Sequence, residues 1–348
     1  MKKQRMYIIF LTFAIFCLIS AGVVVAPPNG TSDCSESGSS QRLIGFRYQV
    51  TATVPVGFGP AGVAVSPDGT KVYVTNFLSN TTSVIDTTTN TITATVNGFN
   101  YPYEVVVNHA GTKVYVTNYG SSTISVIDTT TNTVTATVPV GDYPFGVAVS
   151  PDGSKVYVTK RGEKGNVSVI DTTTNTVTAM VPVGDYPFGV AVSPDGSKVY
   201  VTNRGEKGNV SVIDTTTNTV TATVPAGDYP FEVAVNPTGT IVYVTNRVNN
   251  TVSIINTANN TVIATVPVGN LPYGVAVTPD GTKVYVTNEW NDNISVIDTT
   301  TNTVTATVPV GSYPLGVAVS SNGSKVYVTS QDYNNSNGTV SVIEKIPL

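Results

Sequence analysis

Pro67-Asp68-Gly69-Thr70-Lys71-Val72-Tyr73-Val74-Thr75-Asn76 reads as a tight turn followed by one short strand. Pro presets the first turn position, Asp bonds its own backbone and Gly tolerates positive φ. Lys71 to Thr75 then alternates polar and apolar residues, the period of a strand. The Tyr-Val-Thr core returns at Tyr115, Tyr157, Tyr200, Tyr243, Tyr285 and Tyr327, always 42 or 43 residues after the last. A fixed period of this length means copies of one supersecondary unit that bury their faces on each other.

One unit resolves into four strands. Gly146 to Ser150 is a short run of small apolar residues, closed by the turn Pro151-Asp152-Gly153. Lys155–Thr159 alternates, the polar stretch Arg161–Gly165 follows, and Asn166–Asp171 alternates again. Thr172-Thr173-Thr174-Asn175 is a second turn and Thr176–Val181 a fourth strand. Short β-branched runs separated by turn chemistry predict four antiparallel strands, named here inner, second, third and outer. The last unit ends at Ser341-Val342-Ile343-Glu344 without an outer strand, while an extra one, Thr51 to Gly57, stands before the first inner strand. Pairing the two closes a ring. The expected fold is all-β: a seven-bladed β-propeller of four-stranded antiparallel blades, closed by the N-terminal strand completing the last blade.

The Pro67–Asn76 stretch and its copies resemble the signature of the YVTN family of β-propellers, best known from archaeal surface-layer proteins. The likeness runs over residues 50–344 and is specific for fold. It implies a role in cell-envelope structure or adhesion. Similar propellers also occur beside lactonase and quinoprotein enzymes, and fold analogy does not decide between these.

The N-terminus sets the expected location. Lys2, Lys3 and Arg5 precede an apolar run from Met6 to Ala26. Residues 1–26 therefore read as a signal peptide or an N-terminal membrane anchor. Residues 27–43, rich in Pro, Gly, Ser and Asn, read as a flexible linker, and residues 44–348 as the propeller. Cys34 in that linker is an odd thiol, either free or open to an intermolecular bridge. Net charge is −4 with 11% charged residues, which argues against nucleic acid as a partner. Membrane contact is expected only through an uncleaved N-terminal segment.

Catalytic signals are sparse. His109 is the single histidine and falls in a turn, so no multi-histidine haem or copper site can be assembled. No nucleophile elbow, Walker or Rossmann motif appears in context. The Asp residues of the Pro-Asp-Gly and Asp-Thr-Thr-Thr-Asn turns are read as turn-forming rather than metal-binding. No catalytic residue, metal or cofactor is expected.

Strand alternation sorts the loops onto two faces. The upper face carries the second-to-third loops and the outer-to-inner connections. There the segments Tyr-Pro-Tyr and Tyr-Pro-Phe place Tyr103, Phe145, Phe188, Phe231 and Tyr273 around the channel mouth. Glu104 and Glu232 replace the Gly of the inner strand and put carboxylates near the axis, and Trp290 stands in an adjacent loop. These eight residues form the expected ligand or partner surface, set against a reading in which the aromatics only pack blades. Asn80, Asn166, Asn209, Asn249, Asn293 and Asn337 head Asn-X-Ser/Thr sequons in upper loops and are candidate glycosylation sites.

Residues 139–181 and 182–224 are nearly identical, which suits a scaffold more than a single active site. The expected function is a non-enzymatic cell-surface or secreted propeller in surface-layer-like structure or adhesion. Its partners would be a protein or glycan at the cell surface, or other copies through the lysine-free outer edges. The alternatives are a glycan- or protein-binding module using the aromatic face, and a lactonase- or quinoprotein-like enzyme.

Overall fold

The computed structural model describes residues 45–205, 207–332 and 337–348. The expected signal or anchor, the linker, Cys34 and the sequon residues Asn29 and Asn334 lie outside the described residues. None of the described residues forms a helix long and apolar enough to cross a membrane.

Seven four-stranded antiparallel sheets follow one another as blades, each ordered inner, second, third, outer. In the first blade these are Pro60–Val65, Lys71–Asn76, Thr81–Asp86 and Thr91–Asn97. In the last blade, the inner, second and third strands are Pro314–Val319, Lys325–Ser330 and Thr339–Pro347, and the outer position is filled by Phe46–Pro55. The closure expected from the displaced outer strand is therefore present. It is longer than the motif alone implied: pairing runs from Phe46 opposite Pro347 to Pro55 opposite Thr339, with a bulge between Val50 and Ala52.

The signature residues stitch the ring. Thr75 Oγ1 accepts from Gly62 N at 2.9 Å in its own inner strand and donates to Tyr103 O at 2.6 Å in the next blade. The equivalent bond recurs from blade to blade and ends with Thr329 Oγ1 donating to Ala61 O at 2.7 Å, which joins last blade to first. Asn76 Nδ2 donates to Thr81 and Ser83, while its Oδ1 accepts from Gly57 N, so one side chain ties the upper loops together. On the lower face, Lys71 Nζ reaches Thr129 O of the neighbouring blade at 2.9 Å.

The signature tyrosines pack between blades. Tyr73 sits with Val84 and Val96 against Val105, Val107, Val114 and Val116 of the second blade. Across the closure, Tyr327, Val340 and Val342 pack with Val54, Val63, Val72 and Val74. The hydroxyls of Tyr73, Tyr115 and Tyr327 are buried with no partner among the described residues, because the valine-lined interface offers few acceptors.

The acidic turns have local explanations. Asp68 Oδ1 accepts from Ser66 Oγ and Thr70 N, and Asp86 Oδ1 from Thr88 N and Thr89 N. These donors hold both carboxyls below the usual carboxylate range. Asn90, Asn132, Asn175, Asn218, Asn260 and Asn302 close the second turn at φ of 52–54°, a conformation Asn tolerates. His109 is exposed in the turn Asn108–Gly111.

Candidate functional site

Three residues of each repeat converge on the upper mouth. The first follows the Pro that opens the inner strand. Here Phe145, Phe188, Phe231, Tyr273, Leu315 and Ala61 are buried against one another, with Tyr103 beside them. Ring centroids lie 4.8 Å apart for Tyr103–Phe145, 4.8 Å for Phe145–Phe188, 4.5 Å for Phe188–Phe231 and 4.8 Å for Phe231–Tyr273. The hydroxyls of Tyr103 and Tyr273 hydrogen-bond to each other. The five aromatics expected to line the mouth thus form its floor, a plug of rings in edge and tilted contact. Their closest neighbours are each other, so most of their surface serves packing.

The second residue follows the Tyr-Val-Thr-X signature. Its seven copies are Phe77, Tyr119, Arg161, Arg204, Arg247, Glu289 and Gln331. Four of these are charged, and all four lie over the plug. The Arg204 guanidinium carbon is 4.5 Å from the Phe188 ring centroid and 4.4 Å from that of Phe231. Arg161 lies 5.4 Å from Phe145 and Arg247 4.9 Å from Phe231. Arg247 is paired with Glu289 at 2.5 Å. Arg161 and Arg204 have no ion pair among the described residues. Arg204 is only 8% exposed and its Nε has no hydrogen-bond partner among the described residues. Burial, and then repulsion from Arg161, lowers its pKa, yet a guanidinium starts high enough to stay charged.

The third residue precedes the Pro. Tyr101, Tyr143, Tyr186, Tyr229 and Tyr313 hold φ between 49° and 54°, a conformation rare for bulky side chains. The carbonyls of these residues are clamped from above: Arg161 N donates to Tyr143 O, Arg204 N to Tyr186 O and Arg247 N to Tyr229 O. The strain lifts the tyrosine rings to the rim, where Tyr101, Tyr143 and Tyr229 are 42%, 53% and 50% exposed.

These layers enclose a cavity of about 500 Å³ whose lining includes Phe145, Arg161, Phe188, Arg204, Tyr229, Phe231, Arg247, Tyr273 and Glu289. A second cavity of about 470 Å³ opens outward between blades, lined by Tyr186, Arg204, Gly205, Asp228, Tyr229 and Val248. Arg204 and Tyr229 belong to both.

Glu104 and Glu232 lie under the plug, on the inner strands facing the channel. A Cβ built on Gly62 would sit 2.9 Å from Glu104 Oε1, and one built on Gly189 would sit 2.8 Å from Glu232 Oε2. Burial is the main cause that raises both carboxyls above the usual range, and for Glu232 repulsion from Glu104 adds to it. They are partly exposed to the channel lumen but not part of the mouth lining. Trp290, 67% exposed in its turn, also stands outside the mouth lining.

Asn80, Asn249 and Asn337 are exposed in upper loops. Asn166, Asn209 and Asn293 open third strands and are half-buried, and the side-chain carbonyls of Asn209 and Asn293 accept from Asn203 and Asn288. The arginines and Glu289 were visible in the sequence only as loop variation. The signal that singles them out is their common register, one residue after the signature.

A ring of four-stranded blades with a charged, aromatic-floored mouth on one face defines a seven-bladed β-propeller with a central ligand-sized cavity. The family model described as "Lactonase, 7-bladed beta-propeller" matches residues 39–187 and 165–264, together more than half of the chain, and the chain belongs to that propeller family. The model "YNCE-like beta-propeller" matches residues 226–326. No curated protein matches the chain. Among solved structures it is similar to hydrazine synthase of Kuenenia stuttgartiensis, with a TM-score of 0.75 and 25% identity over 83% of this chain and 96% of that one.

Proposed function

We propose that this chain is a non-enzymatic, exported binding propeller that holds a cell-surface ligand at its upper mouth. One observation carries the reading: Arg204, nine-tenths buried, charged and in no ion pair among the described residues, stands between two aromatic rings at the cavity floor. A buried cation is costly unless something pairs with it, and the open side of Arg204 faces the cavity. The basic start and apolar run of residues 1–26 support export. Gly45 pairs with Leu348 at the lower rim, the face opposite the mouth. A surface-layer-like or adhesive role follows if the ligand belongs to the cell envelope.

A second reading, a lactonase-type enzyme at the same mouth, is favoured by the family match. The two separate in one experiment on the full chain. Thermal unfolding is followed with panels of oligosaccharides and peptides while hydrolysis of sugar lactones is assayed in parallel. A ligand that binds only the folded state raises Tm. A raised Tm without lactone turnover supports the binding reading. Turnover that disappears in Arg204→Met replaces it with the enzyme. Cell fractionation that leaves the native protein in the cytoplasm removes the surface role.

A further inference from the structure

We propose that the mouth binds a linear acidic polysaccharide, with a uronate carboxylate on Arg204 and the adjoining sugars on Tyr229 and Tyr186. The inference rests on the binding reading above and adds the ligand class.

Charge comes first. Three guanidiniums face the axial cavity against one carboxylate, Glu289, which is committed to Arg247 at 2.5 Å, and the outer cavity adds Asp228. That leaves Arg161 and Arg204 for an anion. A guanidinium presents a planar fork that matches a carboxylate with two parallel bonds. The rings of Phe188 and Phe231 fix the plane of Arg204. Glu232 beneath the plug feels the Arg204 charge but makes no ion pair with it among the described residues, and burial favours the protonated forms of both carboxyls.

Shape comes second. The axial cavity and the cavity at Tyr186, Asp228 and Val248 share Arg204 and Tyr229 in their walls, so they lie side by side at the upper face. A compact anion would fill the axial cavity and leave the outer one empty. An extended chain fills both. The rim supplies flat aromatic faces: Tyr229 is half-exposed, and Tyr186 is held by its hydroxyl's bond to Glu163 at 3.2 Å. Exposed rings fixed by a strained backbone suit the apolar faces of pyranose rings. An acidic peptide would be expected to use backbone pairing or apolar side-chain pockets. In the outer cavity the apolar surface is the tyrosine faces and Val248. The glycan is therefore favoured.

The test is titration calorimetry on the full chain. The probes are hexamers of α-1,4-galacturonate, β-1,4-glucuronate and β-1,4-mannuronate, their methyl esters, the three free uronic acids, and hexaglutamate. At least one acidic hexamer is expected to bind, with its ester weaker by about 10- to 100-fold, the range for losing a charge-assisted pair in a dry site. The free acid is expected to bind more weakly than the hexamer. Arg204→Met keeps the stacking volume and should bring the acidic hexamer down to the level of its ester. Tyr229→Ala changes a half-exposed side chain, so folding is not at risk. It should weaken the hexamer by a larger factor than the free acid. Equal binding of acid and ester overturns the anion inference while leaving the mouth reading intact. Free acid as tight as hexamer overturns the extended ligand. Tighter hexaglutamate assigns the mouth to acidic peptide and overturns the glycan. Silence from every uronate probe also overturns it, and the mouth reading itself then stands or falls on the wider panel of the thermal experiment.

Discussion

Thr329→Val asks whether the ring is closed by the same bond that joins its other blades. In the folded protein Thr329 is fully buried; its Oγ1 accepts from Gly316 N at 2.8 Å and donates to Ala61 O at 2.7 Å. Valine has nearly the same shape and removes both bonds. It orphans one N–H in the last blade and one C=O in the first. Each buried polar group left unsatisfied costs about 1–3 kcal/mol, so the variant should lose about 2–6 kcal/mol. Thr202 makes the same pair inside the ring, accepting from Gly189 N at 2.8 Å and donating to Phe231 O at 2.6 Å. Thr202→Val is therefore the internal standard. Urea unfolding of both variants should show similar falls in midpoint, with unchanged slope if the unfolded surface is unaltered. A Thr329→Val midpoint equal to wild type, beside a clear fall for Thr202→Val, would refute the argument that closure is bonded like every other junction.

Three further outcomes are expected. Deleting residues 1–55 strips the outer strand from the last blade and uncovers the edge beside Val340 and Val342, so light scattering should report self-association; a monodisperse monomer would count against strand-swap closure. Phe188→Ala, at a plug residue 2% exposed, should cost about 3–5 kcal/mol, and a loss below about 1 kcal/mol by urea unfolding would contradict the packed floor. The paired change Glu104→Gln and Glu232→Gln should alter the pH dependence of Tm. Both carboxyls are raised from the ordinary 4.5, so the folded state holds more protons than the unfolded chain above that pH. Wild-type stability should then fall as pH rises from 4.5 through the raised values, the variant should lack that fall, and superimposable Tm profiles would show the carboxyls are not buried as described.

Much of the fold was legible because repetition multiplies a weak signal. A single Lys-Val-Tyr-Val-Thr run is an ambiguous strand, but seven in register with their turns are not. Blade count followed from the seven copies, strand order from one repeat, and closure from where the extra outer strand stood. The roles of the signature residues were less legible. Thr75 is in the sequence only one position of an alternating strand, and its bond to Tyr103 O depends on the neighbouring inner strand arriving within 2.6 Å. Tyr73 packs between blades with no partner for its hydroxyl among the described residues, which the motif alone does not reveal.

The candidate site shows the same division. The sequence determined which residues differ among equivalent repeats: arginine or glutamate after the signature, aromatics around the Pro, and glutamate for glycine at two inner strands. Tertiary structure decided what those differences do. Closing the ring brings residues some 42 positions apart onto one axis. There the small cross-section forces Phe145, Phe188, Phe231 and Tyr273 together as a floor. Arg204 is left stacked above that floor, and Glu232 is confined below it. Burial and electrostatic partnership are properties of that convergence, and no single repeat contains them.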